Sequence, residues 1–264
     1  MQFDFGKNWA DFSEKALTPQ RVDQARKAFA TLLEPTGGVT GRSFIDIGFG
    51  QGLGLLSAAA TGARASGIDI NPTCGEVLER NRRLFPELGG SSIPVLIGSV
   101  LDESVVAQAR KSSPGGAGYD IVHSWGVLHH TGNMRQAVAN AASLVKSRGY
   151  FVVALYNRHW SSKLWLLIKF VYCKSPPFLQ RLLVAVMYPV IYLAKWIVTG
   201  SNPRHQLRGM NFYFDVIDWV GGYPYEYASH EEVLTMVEPM GFTCTRFIPS
   251  QVPTGCNEFV FRRR

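Results

Sequence analysis

Residues 44–54 combine an acid with four glycines, the residue types that best suit a site for a charged cofactor. The apolar residues up to Ile47 predict a buried strand, and a helix is expected to follow the glycines. The turn between them reads Gly48-x-Gly50-x-Gly52. Glycine allows a sharp turn and a close approach of a ligand because it carries no Cβ. A strand, a glycine-rich turn and a helix together predict a site for a nucleotide-like cofactor.

The acid in this strand, Asp46, discriminates between cofactors. A dinucleotide or ATP would place phosphates at the turn, where a neighbouring carboxylate repels them. S-adenosylmethionine (SAM) instead carries an ammonium and a sulfonium, which a carboxylate attracts. The glycine spacing also differs from the G-x-G-x-x-G of dinucleotide sites. The sequence therefore predicts SAM as the cofactor, bound by Asp46, Gly48, Gly50 and Gly52.

A second acid, Asp69, ends the next predicted strand, 21 residues after Gly48. In such folds an acid at this separation in sequence lies beside the ribose hydroxyls, and a carboxylate can accept hydrogen bonds from both of them. The alternative is that Asp69 only caps the helix that begins near Pro72. We predict the ribose contact, with Ile70 beside it in the cofactor site.

Composition excludes several classes of protein. The chain has 264 residues, of which 46% are hydrophobic and 18% charged, as in a globular α/β domain with an added element. Its four cysteines form no CxxC pair, and no acids or histidines show metal-ligand spacing, so we expect neither a zinc site nor a disulfide framework. The N-terminus lacks an apolar core of signal-peptide length, so a cytoplasmic location is predicted.

Charge is distributed unevenly along the chain. Residues 121–214 contain eleven Lys and Arg but no Asp or Glu, whereas the rest of the chain holds all 20 acidic residues and the other 16 of the 27 basic ones. This asymmetry predicts an anionic partner for the middle of the chain.

Strand and helix patterns alternate over most of the chain, which predicts an α/β fold with a doubly wound, mostly parallel, seven-stranded sheet. We divide it into an N-terminal helical flap (1–40), a SAM-binding core (41–155), an inserted helical lid and substrate region (156–228) and the end of the core (229–264).

The insertion holds two apolar runs, Leu164–Tyr172 and Leu182–Ala194. The second is interrupted by Pro189 and is too short to span a bilayer. Its helices either form a lid over the active site or lie along an anionic membrane through residues 160–200, with lysines facing the headgroups. In the membrane interpretation three tryptophans act as anchors, Trp160, Trp165 and Trp196.

The motifs resemble those of class I SAM-dependent methyltransferases, closely over residues 44–155 and more loosely from His230 onward. The resemblance implies that Asp46 to Gly52 is the first cofactor motif and that Asp69 is the ribose acid. It places adenine beside Ser99 and Val100. The commoner Gly-Asp is Gly-Ser here, so either the Ser99 hydroxyl or the Val100 backbone makes that contact.

The segment Ser124 to Thr131 resembles the one that follows the fourth strand in quinone-biosynthesis methylases. The resemblance implies that Ser124 contacts the cofactor and that histidines lie near the methyl group. A histidine titrates near neutral pH and can take a proton from a hydroxyl, so His130, His129 and His123 are candidate bases. Alternatively, His123 is a satisfied buried residue and the other two only support the loop.

Arg208 is a candidate anion clamp, and Tyr223, Tyr225 and Glu226 are candidate substrate contacts. The alternative is a lid hinge in which the aromatic rings pack and the charges pair with each other. These residues precede the resumption of the core pattern at His230.

These features together predict a metal-independent SAM-dependent methyltransferase of a small molecule, with O-methylation of a lipophilic or phenolic acceptor. The alternatives are transfer to a thiol or an amine, an RNA-binding methyltransferase, and a membrane-surface module that binds SAM without catalysis. No nucleic-acid partner is expected, because the basic residues are interleaved with long aliphatic runs.

Overall fold

The computed structural model describes residues 2–204 and 208–264. Residues 205–207 of the predicted insertion lie outside the described residues.

A seven-stranded sheet forms the centre of the molecule, in the order β3-β2-β1-β4-β5-β7-β6. β7 is antiparallel to both of its neighbours, and the other pairs are parallel. The predicted fold class is therefore confirmed. The strands are β1 (Ser43–Ile47), β2 (Arg64–Asp69), β3 (Val95–Ile97), β4 (Tyr119–Trp125), β5 (Val145–Tyr156), β6 (Phe242–Ile248) and β7 (Cys256–Arg263).

Ten α-helices are found among the described residues, and two apolar cores separate the sheet from the helices on its two faces. The helices are α1 (Phe5–Lys15), α2 (Pro19–Leu33), α3 (Leu53–Ala60), α4 (Thr73–Arg82), α5 (Glu103–Ser112), α6 (Met134–Ser143), α7 (Ser162–Lys174), α8 (Pro177–Thr199), α9 (Phe212–Gly221) and α10 (His230–Val237).

Local chemistry explains where the first two helices begin. α2 has Pro19 in its first turn and the Thr18 hydroxyl as its N-cap. α1 begins at Phe5, because the Asp4 carboxylate accepts a hydrogen bond from the Lys7 amide and caps the helix there.

The strand order reverses between β1 and β4, since β1 pairs with both β2 and β4. In an open α/β sheet such a switch point leaves a crevice at the carboxyl ends of the strands, where ligands bind. The predicted glycine turn follows β1 directly and therefore lies at this crevice.

The insertion folds as α7, α8 and α9 around a small core of its own, formed by Tyr172, Val184, Ile191, Phe212, Val216 and Val220. The predictions that Pro189 interrupts the second apolar run and that this run is too short to span a bilayer are wrong. α8 is 23 residues long and continues through Pro189. Pro189 is exposed, as is Ala185, whose carbonyl loses its helical hydrogen bond to the proline, so water can satisfy that carbonyl. Among the described residues α8 is the one helix that could cross a membrane by length and composition.

Candidate functional site

The glycine turn after β1 is held between α1 and the loop that follows β4. Gly48, Gly50 and Gly52 have φ angles of 72°, 52° and 80°, which favour glycine. A Cβ on Gly48 would lie 2.3 Å from the Val127 side chain, and one on Gly50 would lie 3.0 Å from Trp9 Nε1. The turn therefore depends on glycine both for its backbone angles and for the close approach of its neighbours.

Asp69 ties the end of β2 to this turn. Its Oδ2 accepts a hydrogen bond from the Gly50 amide at 2.9 Å, and its Oδ1 accepts one from the Asn71 amide at 2.9 Å. Burial raises the pKa of Asp69, while these two hydrogen bonds lower it. Each carboxylate oxygen retains a second lone pair, so Asp69 can also accept hydrogen bonds from ribose hydroxyls.

Asp46 and His123 form a buried pair on β1 and β4. Asp46 Oδ1 lies 2.7 Å from His123 Nδ1, and the His123 ring stacks on Phe44 with 5.8 Å between centroids. The geometry does not support the base role predicted for His123, because its ring is enclosed by the core and oriented by Asp46. Contact between Asp46 and the cofactor stays a prediction, since one carboxylate oxygen is engaged by His123.

The other predicted cofactor residues differ in whether their side chains are free to contact a ligand. The hydroxyl of Ser124 donates to the Ile47 carbonyl at 2.9 Å and is fully buried, so its side chain joins β4 to β1 and does not face a ligand. Ile70 is 53% exposed, as an apolar wall for adenine or ribose requires. Ser99 Oγ accepts from the Leu101 amide, and the Val100 carbonyl accepts from the Asn140 side chain. The adenine contacts of Ser99 and Val100 stay predictions.

The turn fits the predicted cofactor on two observations. The Asp69 carboxylate stands beside an amide-lined glycine turn without a phosphate-binding cation in either motif, and Gln51 Oε1 within the turn is buried with no partner among the described residues. A buried polar atom without a partner indicates a missing ligand or water. Asp69, Gly48, Gly50 and Gln51 are therefore the residues that would hold SAM.

His129 and His130 are buried after β4 and have different hydrogen-bond roles. The Tyr156 amide donates to His129 Nδ1 at 3.2 Å, so the proton of the neutral ring belongs on Nε2, which has no partner among the described residues. His130 Nδ1 lies 2.6 Å from the Pro224 carbonyl and must donate to it. These hydrogen bonds assign the tautomer of each neutral ring: His129 Nε2 is a donor, and His130 Nε2 carries the lone pair.

Burial lowers the pKa of both histidines, to about 3 for His130, where the charge of Lys169 adds to the effect. A group with so low a pKa takes a proton poorly at neutral pH. The base role predicted for His130 and His129 therefore stays a prediction that the electrostatics of the site do not favour.

A buried cationic group that sequence reasoning missed lies beside these histidines. Lys169 on α7 is 2% exposed, and its Nζ lies 5.5 Å and 5.0 Å from the ring centroids of Tyr156 and Tyr225. It donates to the Asp218 carbonyl at 3.2 Å. The expectation that the lysines of this run face lipid headgroups is wrong for Lys169. The available signal was a single lysine within an apolar helical run.

The remaining substrate candidates have structural partners. Arg208 stacks over the Trp125 ring at 3.9 Å and pairs with Glu258, so its charge is already compensated. Glu226 accepts from the Met134 amide at 2.9 Å and caps α6. The Tyr223 carbonyl accepts from the Phe3 amide at 2.8 Å, which joins the N-terminal segment to this loop.

Of the four predicted substrate residues, Tyr225 alone belongs to the buried cluster. We define this cluster as His129, His130, Tyr156, Lys169, Asp218 and Tyr225. Among residues 2–204 and 208–264, no group of three or more His, Cys, Asp or Glu is placed to hold a metal ion.

The sequence is similar to that of a known protein family. A family model described as a methyltransferase domain matches residues 18–213. Ubiquinone biosynthesis O-methyltransferase of Photorhabdus laumondii is 30% identical over 159 residues, which cover 60% of this chain and 60% of that protein. The aligned part thus spans less than two thirds of the length of this relative.

Solved structures share the fold. Magnesium protoporphyrin IX methyltransferase of Synechocystis with bound S-adenosylhomocysteine (SAH) gives a TM-score of 0.54 at 14% identity, covering 93% of this chain and 83% of that one. The same enzyme with bound SAM gives a TM-score of 0.51 at 16% identity, covering 100% of this chain and 86% of that one. At such identities the likeness concerns the fold alone.

Asp69→Ala is expected to abolish binding of SAH in isothermal titration calorimetry. Two hydrogen bonds from ribose to a carboxylate contribute about 3 kcal/mol or more, so affinity should fall by roughly 100-fold or more. Asp69→Asn keeps the shape of the side chain and should bind with intermediate affinity. Glu76→Ala, on the exposed side of α4, is the matched control and should bind like the wild type. Unchanged affinity in Asp69→Ala contradicts the ribose assignment.

His130→Asn is expected to change how stability depends on pH. The folded pKa of His130 is about 3 and the reference value is 6.5, so below pH 6.5 the unfolded chain binds a proton that the folded chain does not. The free energy of unfolding therefore falls on acidification, by about 2 kcal/mol between pH 7 and pH 5 for this residue. Urea denaturation at both pH values should show that extra loss in the wild type but not in His130→Asn; equal losses contradict the buried neutral state.

Proposed function

This chain belongs to the methyltransferase-domain family, and we propose that it transfers the methyl group of SAM to an oxygen atom of a small lipophilic or phenolic acceptor. Family membership confirms the enzyme class predicted from the motifs, together with the cofactor of that class. The acceptor and the roles of individual residues are part of the proposal.

The observation that carries the proposal is the position of the Asp69 carboxylate. It lies at the end of β2 and is bonded to the Gly50 amide, so the acid and the glycine turn form one preorganised site. α1 packs against this site, because Trp9 contacts Gly50 and the Asn71 side-chain amide donates to Asp4 Oδ1 at 3.1 Å. The N-terminal flap thus covers the turn and shields a bound cofactor from water.

Transfer to oxygen is supported by the chemistry of the buried cluster and by the relative. When bound, SAM supplies an electrophilic methyl group on a sulfonium. An acceptor hydroxyl must lose its proton and be aligned for in-line attack, whereas a thiolate needs little such help. The buried cluster provides hydrogen-bond donors, a cation and a carboxylate at the edge of the sheet where the turn lies. The Photorhabdus relative is named as an O-methyltransferase.

Three matched acceptors test which atom receives the methyl group. They are a phenol, a thiophenol and an aniline that carry the same alkyl chain. With SAM bearing a labelled methyl group, the wild type should form the aryl methyl ether faster than the thioether or the N-methylaniline, as identified by mass spectrometry. Asp69→Ala should lose this activity because it should no longer bind the cofactor. Preferred formation of the thioether or N-methyl product contradicts transfer to oxygen.

We further propose that the α7–α8 hairpin contacts an anionic membrane and that the lipophilic acceptor enters from there. Leu182, Val186, Val190, Leu193 and Ile197 are each more than half exposed. Their spacing of three and four residues places them on one face of α8, opposite the buried Val184 and Ile191.

Charge favours an anionic membrane as the partner of this face. Lys163, Lys174 and Arg181 are exposed on the same hairpin, and the hairpin contains no acidic residue. Five other basic residues of the acid-free stretch are paired or buried, so they do not contribute: Lys146, Arg158, Lys169, Lys195 and Arg208. An apolar face flanked by cations is typical of helices in the membrane interface. A membrane-peripheral position in the cytoplasm follows as part of this proposal.

Vesicle flotation tests the membrane contact. The protein should float with vesicles of phosphatidylglycerol and phosphatidylcholine but not with phosphatidylcholine alone. Replacing Lys163, Lys174 and Arg181 together by Gln should weaken binding by roughly 100-fold, since each surface cation contributes about 1 kcal/mol, a factor of about five. Val186→Ser with Val190→Ser should also weaken it.

The control is Arg80→Gln with Arg83→Gln, which removes two exposed cations at the C-terminal end of α4 and should leave flotation unchanged. Equal flotation of the hairpin variants and the wild type contradicts the membrane contact and leaves the hairpin as a lid.

A further inference from the structure

We propose, on the basis of the function proposed above, that the Lys169 ammonium binds the reacting hydroxyl of the acceptor as an oxyanion. This assigns the acceptor to the phenols and enols, whose hydroxyl groups can ionise next to a buried cation. Lys169 then acts as the residue that orients and charges the acceptor.

The surroundings of Lys169 leave N–H groups of its ammonium available. The described residues give Nζ one hydrogen bond, to the Asp218 carbonyl, although an ammonium has three donors. The rings of Tyr156 and Tyr225 flank it with their π faces, which stabilise a cation without taking its N–H groups. A lysine enclosed in this way gains from an anionic ligand that accepts its remaining N–H groups.

Two further polar atoms of the buried cluster lack partners. His129 Nε2 and Asp218 Oδ1 are shielded from solvent, and no group in the part of the chain that the structure describes hydrogen-bonds to them. His129 Nε2 is a donor in the tautomer set by the Tyr156 amide. Unsatisfied buried groups of this kind are rare and indicate a polar ligand or water at the site.

The cluster lies at the same edge of the sheet as the cofactor turn. Tyr156 ends β5, and His129 and His130 follow β4, two and three residues after the Val127 that contacts Gly48. A Cβ on Gly222 would lie 2.9 Å from His130 Cε1 and 3.2 Å from Lys169 Nζ. The backbone at Gly222 therefore joins the histidine and the lysine into one site.

The neighbouring titratable groups favour a charged lysine. Burial lowers the pKa of Lys169, while the carboxylates of Asp218 and Asp215 on α9 raise it. Burial raises the pKa of Asp218, and the charge of Lys169 lowers it. The other groups that face the lysine, His130, Tyr156, Tyr225, Cys173 and Cys256, are neutral near pH 7 because burial disfavours their charged forms.

The reaction balances with the ammonium unchanged. On binding, the acceptor O–H bond breaks and its proton leaves to solvent, which forms an ion pair of oxyanion and Lys169. An oxygen lone pair then forms the new C–O bond while the C–S bond breaks and its electrons return to sulfur. The products are the methyl ether and SAH, and one proton is released per turnover.

The test uses para-nitrophenol, whose phenolate form is coloured, titrated into the protein in the presence of SAH. Bound to the wild type, its apparent pKa should lie about one to three units below that of free para-nitrophenol, because an opposite charge within a few ångströms favours ionisation. Lys169→Met should remove this shift, and Lys169→Arg should retain part of it.

Two controls separate the charge from the fold. Lys111→Met removes an exposed lysine from α5, outside the hairpin, and should keep the shift of the wild type. Because Lys169→Met leaves Asp218 buried without its cation, the double variant Lys169→Met with Asp218→Asn removes both charges and should also show no shift. SAH binding by calorimetry should be the same in all of these proteins, which reports on the fold and on the cofactor site.

An equal shift in the wild type and Lys169→Met overturns the inference, as does failure of para-nitrophenol to bind a wild type that binds SAH. Absence of SAH binding to the wild type instead contradicts the proposed function itself, so the two failures are distinguishable.

Discussion

The hydrogen bonds accepted by the Asp69 carboxylate hold together the region on which the rest of the site depends. One oxygen accepts from the Gly50 amide in the turn after β1, and the other accepts from Asn71 after β2. Asn71 in turn donates to Asp4, the N-cap of α1. A single buried carboxylate thus links β1, β2, the glycine turn and the flap. Because an unpaired buried carboxylate is costly, each of these partners constrains the others.

The buried cluster at the end of β4 and β5 imposes a second constraint. Lys169, Asp218 and two histidines are removed from water together, although each loses solvation free energy on burial. Replacing such groups by apolar residues often leaves stability unchanged or improves it, so a buried ionic pair is weak evidence for a stabilising role. Its position beside the cofactor turn, with two polar atoms unsatisfied, is better explained by a ligand that completes the hydrogen bonds.

The helices of the insertion connect this cluster to the outside. α7 turns Lys169 and Tyr172 inward and Leu164 and Leu167 outward, so one helix contributes to the buried cluster and to the exposed apolar surface. The lid and the membrane interpretations are therefore compatible, because they concern opposite faces of the same hairpin.

The sequence by itself determined the fold class and the enzyme class. These rest on local patterns, such as the alternation of buried strands and amphipathic helices or the glycines of the turn, which need no distant partner. Only the tertiary structure decided the surroundings of Asp46, Lys169 and Asp218. Asp46 is engaged by His123, 77 residues away, and Lys169 meets Asp218 across 49 residues. Whether a charged side chain is buried, paired or available depends on what packs against it, and that information lies elsewhere in the chain.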